Sequence, residues 1–92
     1  MSQKRVHLFV TGRVQGVFFR QATRVNAIKN HVTGWVENLD DGRVEIMIDG
    51  EDKSVDAVTK WCNLGPANSR VDDLKTNQEE FLDEFENFEV RY

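Results

Sequence analysis

The chain has 92 residues, 39% of them hydrophobic, which is enough for one small core, so we expect a single domain over residues 1–92. It has no run of 18 apolar residues, so no membrane span is predicted. Residues 1–5 are mostly polar, so no signal peptide is predicted either. Cys62 is the only cysteine. An internal disulfide is therefore excluded, a cytoplasmic location is favoured, and the thiol's place in an apolar helical pattern indicates packing and not catalysis.

The charges are divided unevenly along the chain. The net charge is −4, which argues against nonspecific binding of nucleic acid. Residues 1–36 contain six Lys or Arg and no acid, whereas residues 72–89 contain eight acids and one base. Most of these charges are typical of solvated surfaces, but the positive N-terminal third would also favour the approach of an anion.

The first third of the chain predicts a strand, a loop and a helix. In residues 6–11, Val6, Leu8 and Val10 alternate with His7, Phe9 and Thr11, which is typical of a strand. A loop with two glycines follows over residues 12–20. Apolar residues then recur at helical spacing and predict a helix over about residues 20–30. The residues of this apolar pattern are Ala22, Val25 and Ile28.

The middle of the chain predicts a β-hairpin. Residues 35–39 form the second predicted strand and residues 43–49 the return strand. Asp41-Gly42 between them predicts a two-residue type I′ turn, because both central positions of that turn need positive φ. The alternation of the return strand divides its side chains between two faces. Val44, Ile46 and Ile48 are expected to face the core, and Arg43, Glu45 and Asp49 the other side.

A second helix and two further strands complete the pattern. The helix is predicted over residues 51–63, with Gly65-Pro66 ending it. A weaker strand is predicted over residues 71–76 and a closing strand over residues 88–92, with an acidic loop or hairpin turn over residues 77–84. The buried face of the helix is expected to comprise Val55, Val58 and either Trp61 or Cys62.

The order of these elements is βαββαβ, with an extra split of the last strand as the alternative. Two helices packed on one face of a four- to five-stranded, mainly antiparallel sheet form a ferredoxin-like α+β sandwich. This architecture hosts enzymes, RNA-binding domains and regulatory modules, so it does not by itself predict a function.

The loop over residues 12–20 predicts an anion site. Gly12 and Gly16 supply backbone freedom, and successive N–H groups in such a loop form an anion-binding concavity. The helix behind the loop adds the positive end of its dipole. Arg20, at the start of that helix, has a planar fork of donors that matches a phosphate. An unliganded surface arginine is the alternative interpretation.

Other polar residues near the loop are weaker candidates. Asn38 ends the second predicted strand, where its amide could donate to an anion or hold a water molecule. The local pattern alone favours an ordinary asparagine beside a turn. Arg13 and Gln15 could be polar residues of an exposed loop. Phe18 and Phe19 are expected to fix the loop and the helix start, although one of them could form a wall of the site.

Several common sites are not indicated. His7 and His31 have no metal-ligand spacing, so we expect no metal. The loop lacks the Gly-Lys-Ser/Thr of a P-loop and the third glycine of a dinucleotide fingerprint. We therefore expect a phosphate site of another kind, without a cofactor.

Two segments resemble the signatures of the acylphosphatase family. Residues 12–20, Gly-Arg-Val-Gln-Gly-Val-Phe-Phe-Arg, resemble the first signature. Residues 34–38, Gly-Trp-Val-Glu-Asn, followed by Asp-Gly-Arg-Val at 41–44, resemble the second. The resemblance extends over essentially the whole chain, including the residues 88–92 at its end.

The resemblance implies hydrolysis of the carboxyl-phosphate bond of acyl phosphates to a carboxylate and inorganic phosphate. It implies that Arg20 binds the phosphoryl group and that Asn38 positions the attacking water. It also implies that a backbone loop holds the phosphate oxygens. The residues of that loop are Gln15, Gly16, Val17, Phe18 and Phe19.

The expected partner is a small acyl phosphate, with inorganic phosphate as product, for a cytoplasmic monomer that binds neither nucleic acid nor membrane. The sequence does not distinguish acetyl phosphate, carbamoyl phosphate, a glycolytic acyl phosphate or a phosphoaspartyl protein as substrate. The main alternative is a noncatalytic ferredoxin-like module that binds an anion or another ligand. A domain of a larger carbamoyl-transfer protein is a further alternative.

Overall fold

The computed structural model describes residues 2–92 and contains five strands and two helices. In chain order these are β1 (Gln3–Arg13), α1 (Phe19–Lys29), β2 (Thr33–Asn38), β3 (Val44–Glu51), α2 (Asp52–Leu64), β4 (Arg70–Glu79) and β5 (Phe88–Arg91). The strands form one sheet in the order β4-β1-β3-β2-β5. All neighbours pair antiparallel except β2 and β5, which are parallel.

Both helices pack on the same face of the sheet. The apolar side chains of β1, β2 and β3 form one buried cluster with those of α1 and α2. Val44, Ile46 and Ile48 belong to it, as the alternation of β3 predicted, and so do Val55, Val58 and Cys62 of α2. The prediction of a ferredoxin-like α+β sandwich with a mainly antiparallel sheet is confirmed.

The buried face of α1 differs from the apolar pattern that predicted the helix. Val25 and Ile28 are 64% and 49% exposed, while Phe19, Thr23 and Ala27 are buried. Phe19 is the first residue of the helix, and its ring packs 5.7 Å from that of Trp61. Because the Thr23 hydroxyl donates to the Phe19 carbonyl at 2.7 Å, this polar residue can be buried without an unpaired group. The face of α1 that packs against the core therefore consists of residues four apart, beginning at Phe19.

The hairpin between β2 and β3 has a three-residue loop in place of the predicted type I′ turn. Leu39 N–H donates to the Arg43 carbonyl, and Gly42 N–H donates to that of Leu39. Gly42 has φ of 94°, whereas Asp41 does not adopt a positive φ. The Asp41 carboxylate accepts the backbone N–H of Arg43 at 3.1 Å, which fixes the turn and lowers the pKa of the Asp41 carboxyl. The loop thus needs positive φ only at its glycine.

The acidic segment before β5, residues 80–87, covers the face of the sheet opposite the helices, which we call the second face. β4 extends to Glu79, so residues 77–79 are strand and not the predicted loop. Beyond β4, Glu84 forms an ion pair with Arg5 at 2.7 Å, and the Phe85 ring lies 4.8 Å from the Arg5 guanidinium. Asp49 lies on the face opposite the helices, as predicted, but it is only 1% exposed because of this cover.

Candidate active site

A cleft of about 280 Å³ lies between the loop after β1 and the end of β2. It brings together residues that the sequence analysis selected separately, namely the glycine loop, Arg20 and Asn38. The lining residues are Val14, Gly16, Phe18, Phe19, Arg20, Gln21 and Asn38. Gln15 and Val17, also predicted for the phosphate loop, do not line it.

The backbone of the loop is curled and its N–H groups are free. Gly16 has φ of 74° and Phe18, the N-cap of α1, has φ of 62° and ψ of 26°. Within residues 2–92, no protein acceptor receives a hydrogen bond from the N–H groups of residues 15–19. A Cβ at Gly16 would meet nothing within 4 Å, so the backbone is open there. Free N–H groups in an alternating backbone at a helix N-terminus form an anion-binding concavity.

Gly12 does not belong to this concavity. It lies within β1, at the point where the pairing of β1 with β4 shifts register. A Cβ there would lie 2.1 Å from the Arg70 carbonyl oxygen, and φ is 136°. Glycine is therefore required by the close approach of two strands, which corrects the prediction that Gly12 shapes the anion loop.

Arg20 is held from the side of β5. One of its terminal nitrogens donates to the Arg91 carbonyl at 3.0 Å, and the guanidinium lies 4.7 Å from the centre of the Tyr92 ring. A guanidinium has five N–H donors, so this anchor leaves most of them for a ligand in the cleft.

Asn38 is the last residue of β2, opposite Val44 of β3. Its side-chain oxygen Oδ1 is buried and, among residues 2–92, has no hydrogen-bond partner. A buried amide oxygen without a partner is costly, and the explanation is often a bound water or ligand. The residue also lines the cleft, which favours the functional interpretation over an ordinary turn asparagine.

Gln15 has a role that the sequence did not indicate. Its side-chain amide Nε2 donates to the carbonyls of Leu39 at 2.8 Å and Arg43 at 2.9 Å. The side chain thereby ties the anion loop to the β2–β3 hairpin, next to Asn38. The two carbonyls are 24 and 28 residues away in the chain, so no local pattern could have revealed the contact.

Other titratable groups lie away from the cleft or are inert. No cluster of three His, Cys, Asp or Glu residues that could hold a metal occurs in the part of the chain that the structure describes. His7 contacts Glu45 and Glu79 across the sheet. Cys62 is fully buried, and burial raises the pKa of its thiol to about 12.

In residues 2–92 no helix is long and apolar enough to cross a membrane.

The fold and the cleft define a small α+β sandwich with a cleft at a helix N-terminus. A model of the acylphosphatase family matches residues 6–90. An acylphosphatase of Syntrophus aciditrophicus is 46% identical over 89 residues, with 97% of this chain and 93% of the relative covered. One of Rubrobacter xylanophilus is 48% identical over 88 residues, with 96% and 80% covered. The chain belongs to the acylphosphatase family.

The likeness extends to solved structures. The crystal structure of acylphosphatase from Bacillus subtilis superimposes with a TM-score of 0.93 at 34% identity, and the match covers 97% of this chain and 99% of that one. An acylphosphatase structure from Coxiella burnetii gives a TM-score of 0.91 at 37% identity, with 97% and 93% covered.

Proposed function

We propose that the cleft hydrolyses acyl phosphates to a carboxylate and inorganic phosphate, with Arg20 and Asn38 as its catalytic residues. The enzyme class is supported by membership of the acylphosphatase family. The roles of the residues are supported by one observation: Arg20, Asn38 and the loop residues Gly16 and Phe18, whose N–H groups have no protein acceptor, line a single cleft.

In this proposal the phosphoryl group is bound by the backbone of residues 15–19 and by Arg20. The N–H groups donate to its oxygens, and α1 contributes the positive end of its dipole. The guanidinium adds charge-assisted hydrogen bonds, which are stronger than those between neutral groups. Phosphoryl transfer depends mainly on positioning and charge stabilisation, and these donors supply both.

Asn38 has the role of positioning the attacking water. Its side-chain amide can hydrogen-bond to that water and so fix the orientation of the nucleophile. A water needs little deprotonation early in a loose transition state, and a phosphate oxygen of the substrate can receive its proton. The mechanism therefore requires no general base from the protein.

The leaving group explains why so few functional side chains suffice. A carboxylic acid has a pKa near about 4, so the carboxylate departs as an anion without a general acid. We therefore propose that neither metal nor cofactor takes part, and that a chelator leaves the rate unchanged.

The test is hydrolysis of benzoyl phosphate, with a chelator present, by the wild type and by Asn38→Ala. We expect kcat/KM to fall about 10²- to 10³-fold in the variant, the scale of losing one preorganised polar group. Inorganic phosphate should still inhibit competitively, because its binding site is the loop and Arg20. Asn63→Ala, at an exposed position of α2, is the matched control and should retain the wild-type rate.

Two results would contradict the assignment. If Asn38→Ala folds but no longer binds phosphate, the residue is part of the phosphate site and not a water-positioning group. If the folded wild type does not hydrolyse benzoyl phosphate, the cleft binds an anion without reacting it, as in the noncatalytic alternative.

We further propose that residues 1–92 act as one domain and as a cytoplasmic monomer, without nucleic-acid or membrane partners. A single buried cluster that includes strands and helices supports the first statement. The net charge of −4 supports the exclusion of nucleic acid.

A further inference from the structure

Phe18 is the exposed apolar surface of the cleft. Three apolar side chains line it, but Val14 and Phe19 are each only 1% exposed and belong to the core. Phe18, in contrast, is 79% exposed. Single exposed apolar residues are ordinary on a protein surface, but among the exposed large hydrophobic residues of the described chain Phe18 is the one that lines this cleft.

The fold does not explain why this position carries a phenylalanine. Phe18 is the N-cap of α1 and makes no capping hydrogen bond through its side chain. Its φ of 62° lies in the left-handed region, which bulky residues rarely adopt and which Gly or Asn would adopt more easily. The ring adds nothing to the core, so its backbone conformation and its exposure both favour a role in the cleft.

We propose that the Phe18 ring contacts the acyl group of the substrate and makes the enzyme prefer acyl phosphates with aromatic or extended apolar acyl groups. This inference rests on the proposed function. If the phosphoryl group occupies the backbone loop beside Arg20, the acyl group on its bridging oxygen extends towards the mouth of the cleft. The exposed apolar side chain lining that cleft is Phe18.

The expected effect is moderate. An aromatic contact contributes about 0.5–1.5 kcal/mol beyond area burial, which corresponds to a factor of about 3 to 10 in kcat/KM. Such a contact exists with a benzoyl group, whereas an acetyl group is too small to cover the ring. The contact is made in the ground state as well as in the transition state. We therefore expect its loss to appear mainly as a higher KM for benzoyl phosphate.

The experiment measures kcat/KM for benzoyl phosphate and for acetyl phosphate and compares their ratio between wild type and Phe18→Ala. The ratio cancels any effect on the phosphate loop, because both substrates share the phosphoryl group. We expect the wild type to prefer benzoyl phosphate and the ratio to fall about 3- to 10-fold in the variant. Leu64→Ala is the control, because Leu64 is 75% exposed at the far end of α2 and should leave the ratio unchanged.

Two further variants protect the test against a folding defect. Phe18→Asn tolerates the left-handed backbone and should lower the ratio as Phe18→Ala does. Phe18→Trp keeps an aromatic ring and should retain the preference for benzoyl phosphate. A ratio that stays at the wild-type value in folded Phe18→Ala or Phe18→Asn would overturn the role of Phe18 while leaving the proposed function intact. If the wild type hydrolyses neither substrate, the proposed function fails, and this inference fails with it.

Discussion

The cleft and the second face of the sheet both bury polar groups, but they treat them in opposite ways. On the second face, Arg5 and Asp49 are 5% and 1% exposed and form a bidentate pair, with nitrogen–oxygen distances of 2.6 and 2.9 Å. Glu84 adds a third contact to Arg5, and these hydrogen bonds and charges raise the pKa of its guanidinium above the ordinary value. In the cleft, Asn38 Oδ1 and the N–H groups of residues 15–19 have no protein partner.

The difference distinguishes groups that stabilise the fold from groups that we propose bind a ligand. A buried polar atom without a partner costs about 1–3 kcal/mol, so a fold retains such atoms only where the rest of the structure compensates. The left-handed Phe18 lies in the same cleft and adds backbone strain there. Substitutions in the cleft should therefore lower activity more than stability. Substitutions of Arg5 or Asp49 should lower stability more than activity.

Arg20→Ala is expected to have the largest effect. It removes the cationic donor from the cleft, and we predict a loss of kcat/KM on the order of 10³-fold or more, by analogy with arginines that stabilise a transferring phosphoryl group. The midpoint of thermal unfolding should change little, because the side chain makes one exposed hydrogen bond to Arg91. Steady-state hydrolysis of benzoyl phosphate and a melting curve measure the two quantities.

Arg24→Ala is the control for Arg20, since it removes the same side chain one turn later on α1, at an exposed position. It should keep most of the activity. Retention of most activity by Arg20→Ala itself would remove this residue from the catalytic assignment.

Asp49→Asn tests the other half of the comparison. It leaves the buried Arg5 guanidinium without its bidentate partner, and removing one member of a buried pair costs about 3–5 kcal/mol. We expect a loss of stability near the lower limit, about 3 kcal/mol, because Glu84 still contacts Arg5. The remaining folded protein should keep wild-type kcat/KM, as the pair lies on the face of the sheet away from the helices.

Asp72→Asn is the matched control for Asp49. Asp72 pairs with Arg70 at 2.8 Å, a similar distance, but both side chains are largely exposed. Exposed pairs contribute little, so urea unfolding should show no measurable shift for this variant. Equal shifts for the Asp49 and Asp72 variants would show that burial does not set the difference between the two pairs.

The sequence predicted the parts of the fold that depend on local pattern. The alternation in β1 and β3 and the Gly65-Pro66 helix end gave the element order and the fold class. The apolar spacing of Val25 and Ile28 predicted the helix α1 but did not indicate its buried face, because that face includes Thr23, whose hydroxyl is satisfied within the helix. The turn type was wrong because the Asp41 carboxylate fixes a different loop conformation.

For the candidate site, the sequence indicated the groups that we propose contact a ligand but not those that position them. Arg20 and Gly16 were visible because a glycine loop before a helix is a local signal for an anion. Asn38 was a weak candidate from the local pattern and received a role only through the family resemblance, because its position in the cleft depends on how β2 packs. The Gln15 contact joins residues far apart in the chain, so it appears only once the hairpin and the loop are folded together.

Gln15→Ala is expected to lower activity less than Arg20→Ala or Asn38→Ala does. It removes both hydrogen bonds between the anion loop and the hairpin, each of which contributes about 1 kcal/mol at a partly buried position. Because the hairpin carries Asn38, the loss should misplace the water-positioning group relative to the phosphate loop. We predict a fall in kcat of about 10-fold, on the scale at which a small misplacement reduces a rate.

The division between kcat and phosphate binding makes this prediction specific. The competitive inhibition constant of inorganic phosphate should change less than kcat in Gln15→Ala, because the N–H groups of residues 15–19 and Arg20 remain. Gln78→Ala, at an exposed position of β4, is the control and should leave both quantities unchanged. If Gln15→Ala weakens phosphate binding as much as it lowers kcat, the side chain shapes the loop itself. If neither quantity changes, the cleft holds its geometry without the contact, and positioning Asn38 then depends on the β2–β3 pairing alone.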